Sequence, residues 1–240
     1  MNAFPRARLL RLVAATVCCA PASFGQYVIS ARPGLIHYVE GRVYLDGAPL
    51  AYQFGAYPEM KRAGELRTGD GYAEVLLNPG VVLHVGENST VRLVSDRLSD
   101  IRIELVSGAA IVAPSGLVAP AEVRMNSVSV TFQDTIVRLL ESGVYRLAAA
   151  PPQLRVSTGQ AEVTYRGKST FVDGEKRIAL DHPGQLENFD PAVADSLDRW
   201  SRRRSETIST ATLAAAQRKK DAARAGSVVW PRNLAFPRSR

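Results

Sequence analysis

Apolar and polar residues alternate with a period of two through most of this chain, and this pattern limits its fold more than any other feature. The clearest alternating runs are Val39 to Leu45, Ala73 to Leu77, Val81 to Val85, Ile101 to Leu105 and Val128 to Phe132. Successive side chains of a β-strand point to opposite faces of the sheet, so each run predicts a strand with one buried and one solvated face. Helical spacing is absent from this part of the sequence.

Turn sequences separate the predicted strands. Asp46-Gly47, Asp70-Gly71 and Asp173-Gly174 are dipeptides typical of tight hairpin turns. Asn78-Pro79-Gly80 also suits a turn, because proline presets its own φ and glycine tolerates a positive φ. Strands this short and closely spaced predict an all-β protein with many short antiparallel strands, in a solenoid-like or sandwich domain over residues 26–189.

The alternation also predicts which side chains lie in the core. Val75 and Ile103 fall on the apolar face of their strands, whereas Glu74 and Arg102 fall on the opposite, solvated face. His84 stands between two core residues, so its own side chain is expected to point toward solvent. A charge introduced at Val75 or Ile103 should therefore cost far more stability than removal of the Glu74 or Arg102 side chain.

A loose repeat of glycines accompanies the strands. Gly41, Gly108 and Gly159 each precede an apolar stretch. Each stretch is closed by a further glycine, at Gly47, Gly116 and Gly167. The spacings are too unequal for a regular array. Two interpretations stay open: stacked strand–turn units of a solenoid-like sheet, or glycines that are simply common where strands begin.

Residues 1–25 have the pattern of a secretory signal peptide. Arginines up to Arg11 precede an apolar run from Leu12 to Ala22, and the small residues that follow predict cleavage before Gln26. The run is too short for a membrane-spanning helix, which needs about 20 residues; an uncleaved anchor or a buried helix is the alternative. Both cysteines lie in this segment, so the mature chain is expected to contain none and to be exported, to the periplasm or the extracellular space.

The pattern changes to helical spacing at Asp190-Pro191. Asp190 is a good N-cap and proline is favoured at the first helical position, which predicts a helix that begins here. An apolar stripe follows at i, i+4 and i+7, formed by Val193, Leu197 and Trp200. This spacing predicts that the helix docks on the β domain of residues 26–189, which we call the β body. We expect a basic helical segment over residues 190–225 and an irregular tail over residues 226–240.

The net charge of +7 is unevenly distributed along the 240 residues. Residues 26–198 carry 16 Lys/Arg against 21 Asp/Glu, whereas residues 199–240 carry 11 against 2. The chain beyond Ser201 has little large apolar surface, so it is expected to stay mobile until it meets an anionic lipid surface, a wall polymer or an acidic envelope protein. Nucleic acid is not expected as a partner of an exported protein. The candidate interaction residues are Arg202, Arg203, Arg204, Lys219, Lys220 and Trp230.

The sequence lacks the motifs of common catalytic and cofactor sites. It contains no GxSxG elbow, no phosphate-binding glycine loop and no calcium loop. His37, His84 and His182 stand far apart, outside any metal-binding motif. Glu74 and Glu104 could meet across a sheet as a glycosidase carboxylate pair, but the solvated face of a strand is the simpler interpretation. We therefore assign no catalytic, cofactor-binding or metal-binding residue and expect no enzyme activity.

Aromatic residues near the start of the β body allow an alternative function. Tyr38, Tyr44, Tyr52, Phe54 and Tyr57 could form a sugar-stacking surface, or they could serve packing and cross-strand pairing. Packing is the commoner role of aromatic residues in strands. An extracellular carbohydrate-binding module or adhesin is accordingly the second candidate.

Several segments, taken in order, resemble the FecR domain family. The first are Val39-Glu40-Gly41-Arg42-Val43, Leu66-Arg67-Thr68-Gly69-Asp70, Asn78-Pro79-Gly80 and Glu87-Asn88-Ser89. Gly159-Gln160-Ala161-Glu162-Val163 and Arg199-Trp200-Ser201-Arg202-Arg203-Arg204-Ser205-Glu206 are similar to exported FecR-domain proteins of environmental bacteria. The resemblance covers residues 34–216 and implies an all-β, partly solenoid-like domain.

This resemblance implies a sensing module and offers no catalytic motif to transfer. Members of the family include periplasmic sensing domains of iron-uptake regulators, which carry a cytoplasmic anti-sigma helix bundle and a membrane helix ahead of the domain. Here the predicted signal peptide stands in that place, so signalling across the membrane to a sigma factor is not expected. We expect an exported, non-enzymatic FecR-like envelope protein that acts as a binding, scaffold or sensory module without a cofactor.

Overall fold

A computed structural model describes residues 32–51, 53, 57–118 and 122–226 and consists mainly of β-strands. The strands are β1 (Leu35–Leu45), β2 (Ala48–Leu50), β3 (Glu65–Asn78), β4 (Val81–Val85), β5 (Thr90–Arg97), β6 (Asp100–Ser107), β7 (Ala109–Pro114), β8 (Val128–Phe132), β9 (Thr135–Leu139), β10 (Val144–Ala149), β11 (Pro152–Thr158), β12 (Gln160–Tyr165), β13 (Lys168–Asp173), β14 (Lys176–Ala179) and β15 (Glu187–Asn188). Helix α1 (Ser196–Gly226) follows them. The prediction of a mostly β fold with a C-terminal helix is confirmed.

The 15 strands of the described residues join in one sheet that branches at β3. One edge of β3 pairs with β1, while its other edge pairs first with β5 and then with β4. The branch through β5 continues as β6, β8, β9, β12 and β13, and we call it the first layer. The branch through β4 continues as β7, β10, β11, β14 and β15, and we call it the second layer. Neighbouring strands are antiparallel except for β6 and β8, which run parallel, so the described sheet is mixed.

Two facing glycines let β1 lie against β3 where the sheet branches. Gly41 is opposite Gly71 across the two strands. A Cβ atom at Gly71 would lie 2.4 Å from the carbonyl oxygen of Glu40, which is closer than a side chain tolerates. Gly41 lies inside β1 and does not precede a strand. Gly108 and Gly159 each directly precede a strand, as the sequence predicted.

The two layers face each other and enclose the hydrophobic core. Strand β10 of the second layer packs against β6 of the first, and β13 approaches β14. Val75 and Ile103 are fully buried here, as predicted. Each apolar side chain removed from water in this way contributes about 1.5–3 kcal/mol, so the interface between the layers is the main source of stability. Further members of this core are Leu83, Val112, Val130, Val137 and Leu147.

The outer face of the first layer is solvated and carries ion pairs. Arg102 donates to Asp100 at 2.7 Å, and Arg92 donates to Glu104 at 2.8 Å and to Glu65 at 3.0 Å. Arg102 is exposed, as the alternation predicted. Ion pairs with this degree of exposure contribute about 0–1 kcal/mol each, so they decide little of the stability.

Helix α1 covers the outer face of β3, β4 and β7. Glu74 and His84 point to this face, and both are fully buried. The predictions that Glu74 and His84 are solvated are therefore wrong, because a period of two assigns residues to a face without showing what lies on it. The apolar side chains that meet here are Leu76, Val82, Ile111 and Ala113 from the sheet and Leu197 and Trp200 from the helix.

Helix α1 begins later than the sequence predicted. Its N-cap is Asp195, whose carboxylate accepts a hydrogen bond from the Asp198 N–H at 3.0 Å, while the Asp198 carboxylate accepts one from the Asp195 N–H at 3.3 Å. This reciprocal pair is a capping box. Asp190 instead accepts a hydrogen bond from the Ala192 N–H within a turn at 2.8 Å. The prediction of Asp190 as the N-cap is wrong, because this turn lies between it and the helix.

Contact between α1 and the sheet extends further along the helix than the sequence predicted. Leu197 and Trp200 are buried as expected, whereas Val193 precedes the helix and is 70% exposed. Ile208 is also buried, so the expectation that docking ends near Ser201 is wrong. Ile208 follows Leu197 by about three helical turns and therefore lies on the same face of α1.

Some predictions concern residues outside the described ranges. These are the signal peptide at residues 1–25, the tail beyond Gly226 with Trp230, and the aromatic residues Tyr52 and Phe54. In the part of the chain that the structure describes, no helix is long and apolar enough to cross a membrane.

Candidate binding groove and the polar network beside it

A groove of about 750 Å³ lies between α1 and the outer face of the second layer. We call it the α1 groove. Its volume is in the range of sites that bind small molecules. Its floor is apolar and consists of Ile111, Ala113, Val118, Val123 and Val144. The helix forms the facing wall with Asp198, Ser201, Arg202, Ser205, Ser209, Thr212, Leu213 and Ala216.

Small residues on the helix leave this space open. Ser201, Ser205 and Ser209 recur at intervals of four, so they lie on one face of α1. Their short side chains fill little of the volume between helix and sheet. Gly116 closes one side, since a Cβ atom there would lie only 2.5 Å from the Ser209 Oγ. The helix and the loop after β7 therefore touch at Gly116, and the groove opens beside this contact.

Strongly exposed apolar residues flank the opening of the groove. Val193 and Leu213 line it and are each 70% exposed. Phe189 and Pro191 lie on the same side as Val193 in the segment before α1. Apolar side chains that stand in water around a cavity are typical of a surface that a ligand or partner covers.

Ion pairs anchor the first turn of α1 to β10 and β11 at one end of the groove. Arg155 donates to the Asp198 carboxylate at 3.0 Å, and Arg146 donates to Asp195 at 2.6 Å and to Asp198 at 3.2 Å. Partial burial raises the pKa of Asp195, but the Asp198 N–H and the Arg146 charge more than offset this and hold that pKa below its ordinary value. Asp195 therefore stays ionised and keeps the helix in place.

Arg202 supplies a free positive charge at the groove. Its side chain lines the groove and is exposed. Within the described residues it forms no ion pair and no side-chain hydrogen bond, in contrast to Arg155, which Asp198 neutralises. The neighbouring Arg203 is also exposed but lies away from the groove. The groove thus combines an apolar interior with one unpaired cation among its described lining residues.

A cluster of polar side chains lies beside the groove, between α1 and the sheet. Glu74 of β3 accepts hydrogen bonds from His37 Nδ1 at 2.8 Å and from His84 Nε2 at 3.3 Å. Arg204 of α1 donates to both of its carboxylate oxygens, through Nε at 3.0 Å and Nη2 at 3.1 Å. His84 Nδ1 lies 2.7 Å from Ser201 Oγ, which donates to it when the ring proton is on Nε2. We call these five residues the Glu74 network.

Glu74 is ionised although it is fully buried. Burial raises its pKa, but the hydrogen bonds from His37, His84 and Arg204 more than offset this penalty and hold the pKa of this carboxyl well below its ordinary value. Arg204 also balances the negative charge. Removal of either partner from such a pair leaves a buried charge without compensation, so the network fastens the helix to the sheet.

Aromatic rings enclose the network. The Trp200 ring stacks on Tyr72 at 5.0 Å between centroids and meets the His84 ring edge-on at 5.2 Å. The Trp200 Nε1–H donates to Glu40 at 2.8 Å, so its polar atom is satisfied at the edge of the contact. The Arg204 guanidinium lies 4.0 Å from the Tyr38 ring centroid, in cation–π contact. These rings help to bury the Glu74 carboxylate and His84, which are both fully buried.

Ser201, His84 and Glu74 form a hydrogen-bonded chain of the kind that activates a serine nucleophile. Ser201 lines the groove, but His84 and Glu74 are fully buried behind it. Ser201 lies beyond the first turn of α1, so its backbone N–H is bonded within the helix and does not face an oxyanion. Arg204 already neutralises Glu74. We therefore assign this chain of hydrogen bonds to the docking of α1.

The predicted interaction residues do not form one surface. Arg202 lies at the groove, and Arg203 and Lys220 are exposed away from it. Arg204 turns inward, so its prediction as a site for an anionic partner is wrong: Glu74 already occupies its guanidinium. The Lys219 side chain and Trp230 lie outside the part that the structure describes.

The sequence did not identify the groove itself. From the sequence, Ile111 belongs only to the apolar stretch after Gly108, and Leu213 only to the helical segment over residues 190–225. The four-residue spacing of serines near the isolated Leu213 was the signal available for the helical wall. The floor could not be found in this way, because its residues come from strands and loops far apart in sequence.

The aromatic residues that the sequence offered as a sugar-stacking surface make separate contacts. Tyr38 contacts Arg204, Tyr44 contacts Arg67 at 4.5 Å from ring centroid to guanidinium carbon, and Tyr57 stacks on His37 at 5.5 Å. One face of each ring is thus occupied within the protein. This arrangement favours the packing interpretation for these three residues.

Comparison with known proteins gives a distant structural similarity. No protein-family model matches the sequence, and no curated protein matches it. Two crystal structures of a putative anti-sigma factor from Parabacteroides distasonis, at 2.50 and 1.65 Å resolution, are similar to 52% of this chain with a TM-score of 0.42. The sequence identities are 17% and 16%. The chain spans 60% of the length of that protein, less than two thirds of it.

Proposed function

We propose that this protein is an exported, non-enzymatic binding module of the cell envelope, and that the α1 groove is its binding site. One observation carries the proposal: a cavity of about 750 Å³ with an apolar floor opens between exposed apolar residues and beside Arg202, which has no ion-pair partner among the described residues. A fold normally fills such a space with side chains of its own, because protein interiors are close-packed.

The arrangement of charges supports binding rather than catalysis. Apart from Arg202, the ionisable groups among the described lining residues are Arg155 and Asp198, which pair with each other, and the Glu74 network is buried behind Ser201. General acid–base catalysis needs an ionisable group within hydrogen-bond reach of a substrate. Arg202 is positioned to hold an anionic group, which is a binding task.

Export and envelope attachment are part of the proposal. The signal-peptide pattern in residues 1–25 and the resemblance to FecR-domain proteins support them. The exposed Arg203 and Lys220 supply a weak, salt-sensitive attraction to anionic surfaces in addition to the groove. Mass spectrometry of the exported protein tests whether the signal peptide is cleaved, with Gln26 expected as the mature N-terminus. A mature chain that retains Arg11 would be an anchored protein instead.

A groove-filling variant tests the binding site. Thr212→Trp places a large ring in the groove, whereas Thr210→Trp places the same ring on the exposed side of α1. We expect Thr212→Trp to weaken saturable binding to an isolated envelope fraction at least about tenfold, and Thr210→Trp to change it less than about twofold. Equal binding by the two variants, with both melting like the unmodified protein, would overturn the groove as the site.

A further inference from the structure

We infer that the α1 groove binds a single-chain anionic lipid, a long-chain fatty acid, with its carboxylate on Arg202 and its hydrocarbon chain along α1. The inference rests on the proposed function, since it names the ligand class of the same site. Three observations carry it: the length of the groove, the nature of its walls and the position of its free charge.

The length of the groove matches a hydrocarbon chain. Its lining residues on α1 extend from Asp198 to Ala216, which corresponds to about 27 Å at the rise of an α-helix. From Arg202 to Ala216 the distance along the axis is about 21 Å. Two acyl chains end to end form the hydrocarbon core of a bilayer, about 30 Å thick, so one chain measures about 15 Å. An acyl chain held at Arg202 therefore fits along the helix.

The walls favour hydrocarbon over polypeptide. A partner helix is about 10 Å wide, so much of it would stand outside this groove of about 750 Å³. An extended peptide is narrower, but it needs partners for its backbone N–H and C=O groups. Backbone groups of the lining residues in β7, β10, β11 and α1 are bonded within these elements, so only the loop residues of the lining, such as Val118 and Val123, offer backbone partners. A chain without polar groups loses nothing in such a place.

The charges favour a monoanion. Arg155 and Asp198 neutralise each other, which leaves the Arg202 guanidinium as the unpaired charge among the described lining residues. Guanidinium binds carboxylate in a bidentate geometry. Ser201 and Ser205 lie within one turn of Arg202 on the same wall. At the other end of the groove, Leu213 is 70% exposed and offers apolar surface to the end of the chain.

Titration with a fluorescent fatty acid tests the inference. The purified full-length chain, first stripped of lipid on a hydrophobic resin, is titrated with cis-parinaric acid and then competed with palmitate and with hexadecanol. We expect saturable binding of one acid per chain. Arg202→Gln should weaken palmitate binding about tenfold, the loss expected for one charge-assisted hydrogen-bonded pair, and leave hexadecanol unchanged. The matched control Arg203→Gln should change neither.

Filling the groove separates this site from the rest of the surface. Thr212→Trp should abolish competition by palmitate, whereas Thr210→Trp should preserve it. The inference would be overturned if Arg202→Gln and Arg203→Gln bound palmitate with equal affinity. It would also be overturned if Thr212→Trp did not affect palmitate binding. Dimerisation that Thr212→Trp disrupts would overturn it too, because the groove would then hold a second copy. If Thr212→Trp abolishes envelope binding while no variant binds fatty acid, the ligand class is wrong and the proposed binding site stands.

Discussion

Glu74 and Arg204 lie 130 residues apart in the chain and form a bidentate ion pair beneath α1, with N–O distances of 3.0 and 3.1 Å. Glu74 comes from the middle of the sheet and Arg204 from the third turn of the helix. Because the carboxylate is fully buried, the pair forms only when the helix covers the sheet. It therefore couples the position of α1, and with it the shape of the α1 groove, to the stability of the β body.

Breaking this pair should destabilise the protein strongly. Arg204→Gln leaves the buried Glu74 charge with only its two histidine partners, and Glu74→Gln leaves Arg204 unpaired; each should lower the free energy of unfolding by about 3 kcal/mol. The double variant should lose less than the sum of the two, because no lone charge remains. Urea denaturation measures all three. Glu104→Gln, on the solvated face of the first layer, is the control and should cost about 0.5 kcal/mol or less. Additive losses would show that the two residues do not interact.

Acid should loosen the same contact. The pKa of Glu74 lies well below its ordinary value in the folded protein, so the folded state binds fewer protons at this site than the unfolded chain. This contribution to stability is complete above the unfolded pKa of about 4.3 and declines as the pH falls below it. The difference in free energy of unfolding between the unmodified protein and Glu74→Gln should therefore shrink between pH 6 and about pH 3. If the difference in free energy of unfolding between the two proteins stays constant from pH 6 to about pH 3, Glu74 is not held ionised by its partners.

The glycine between β11 and β12 should tolerate no side chain. Gly159 has a φ of +87°, and a Cβ atom there would lie 2.3 Å from the hydroxyl oxygen of Tyr145. Gly159→Ala should cost about 3 kcal/mol, the sum of left-handed strain and overpacking. Gly167→Ala, at φ +78° with open space around it, should cost only the strain, about 1–2 kcal/mol. Thermal melts compare the two.

Removal of the Tyr145 hydroxyl should reduce the clash at Gly159. Tyr145 is fully buried; its hydroxyl donates to the Glu141 carbonyl and accepts from the Gln160 N–H, at 2.7 and 3.0 Å. Tyr145→Phe alone should lower the free energy of unfolding by about 1–3 kcal/mol, because the Glu141 carbonyl and the Gln160 N–H lose their hydrogen-bond partner. The double variant with Tyr145→Phe and Gly159→Ala should lose less stability than the sum of the two single variants. An additive loss would place the strain of Gly159→Ala elsewhere.

Truncation should divide α1 into a structural part and an exposed part. A chain that ends after Gln217 keeps every helical residue of the groove, and it should melt like the full chain. A chain that ends after Asp190 loses Leu197 and Trp200, whose burial contributes about 1.5–3 kcal/mol each, and uncovers Glu74. A chain that ends after Arg204 loses the buried Ile208, and its melting temperature should lie between those of the other two truncated chains. Equal melting temperatures for all three would mean that α1 does not dock.

The sequence by itself determined the β class, the inner face of the strands with a clear alternation and the presence of a C-terminal helix. Val75 and Ile103 were identifiable as core residues because alternation is a local property of the strand, which any covering layer has to match. Leu197 and Trp200 were identifiable as docking residues because their spacing places them on one helical face. These features depend on neighbours within a few residues.

Only the tertiary structure decided what covers the other face. Glu74 and His84 obey the same alternation as solvated residues, and their burial follows from a helix that begins more than 100 residues later in the chain. Arg202 and Arg204 are alike in sequence, yet the rotation of α1 on the sheet turns one into the groove and the other onto Glu74. A local pattern records which residues share a face, and the long-range fit between surfaces determines which of those faces is removed from water.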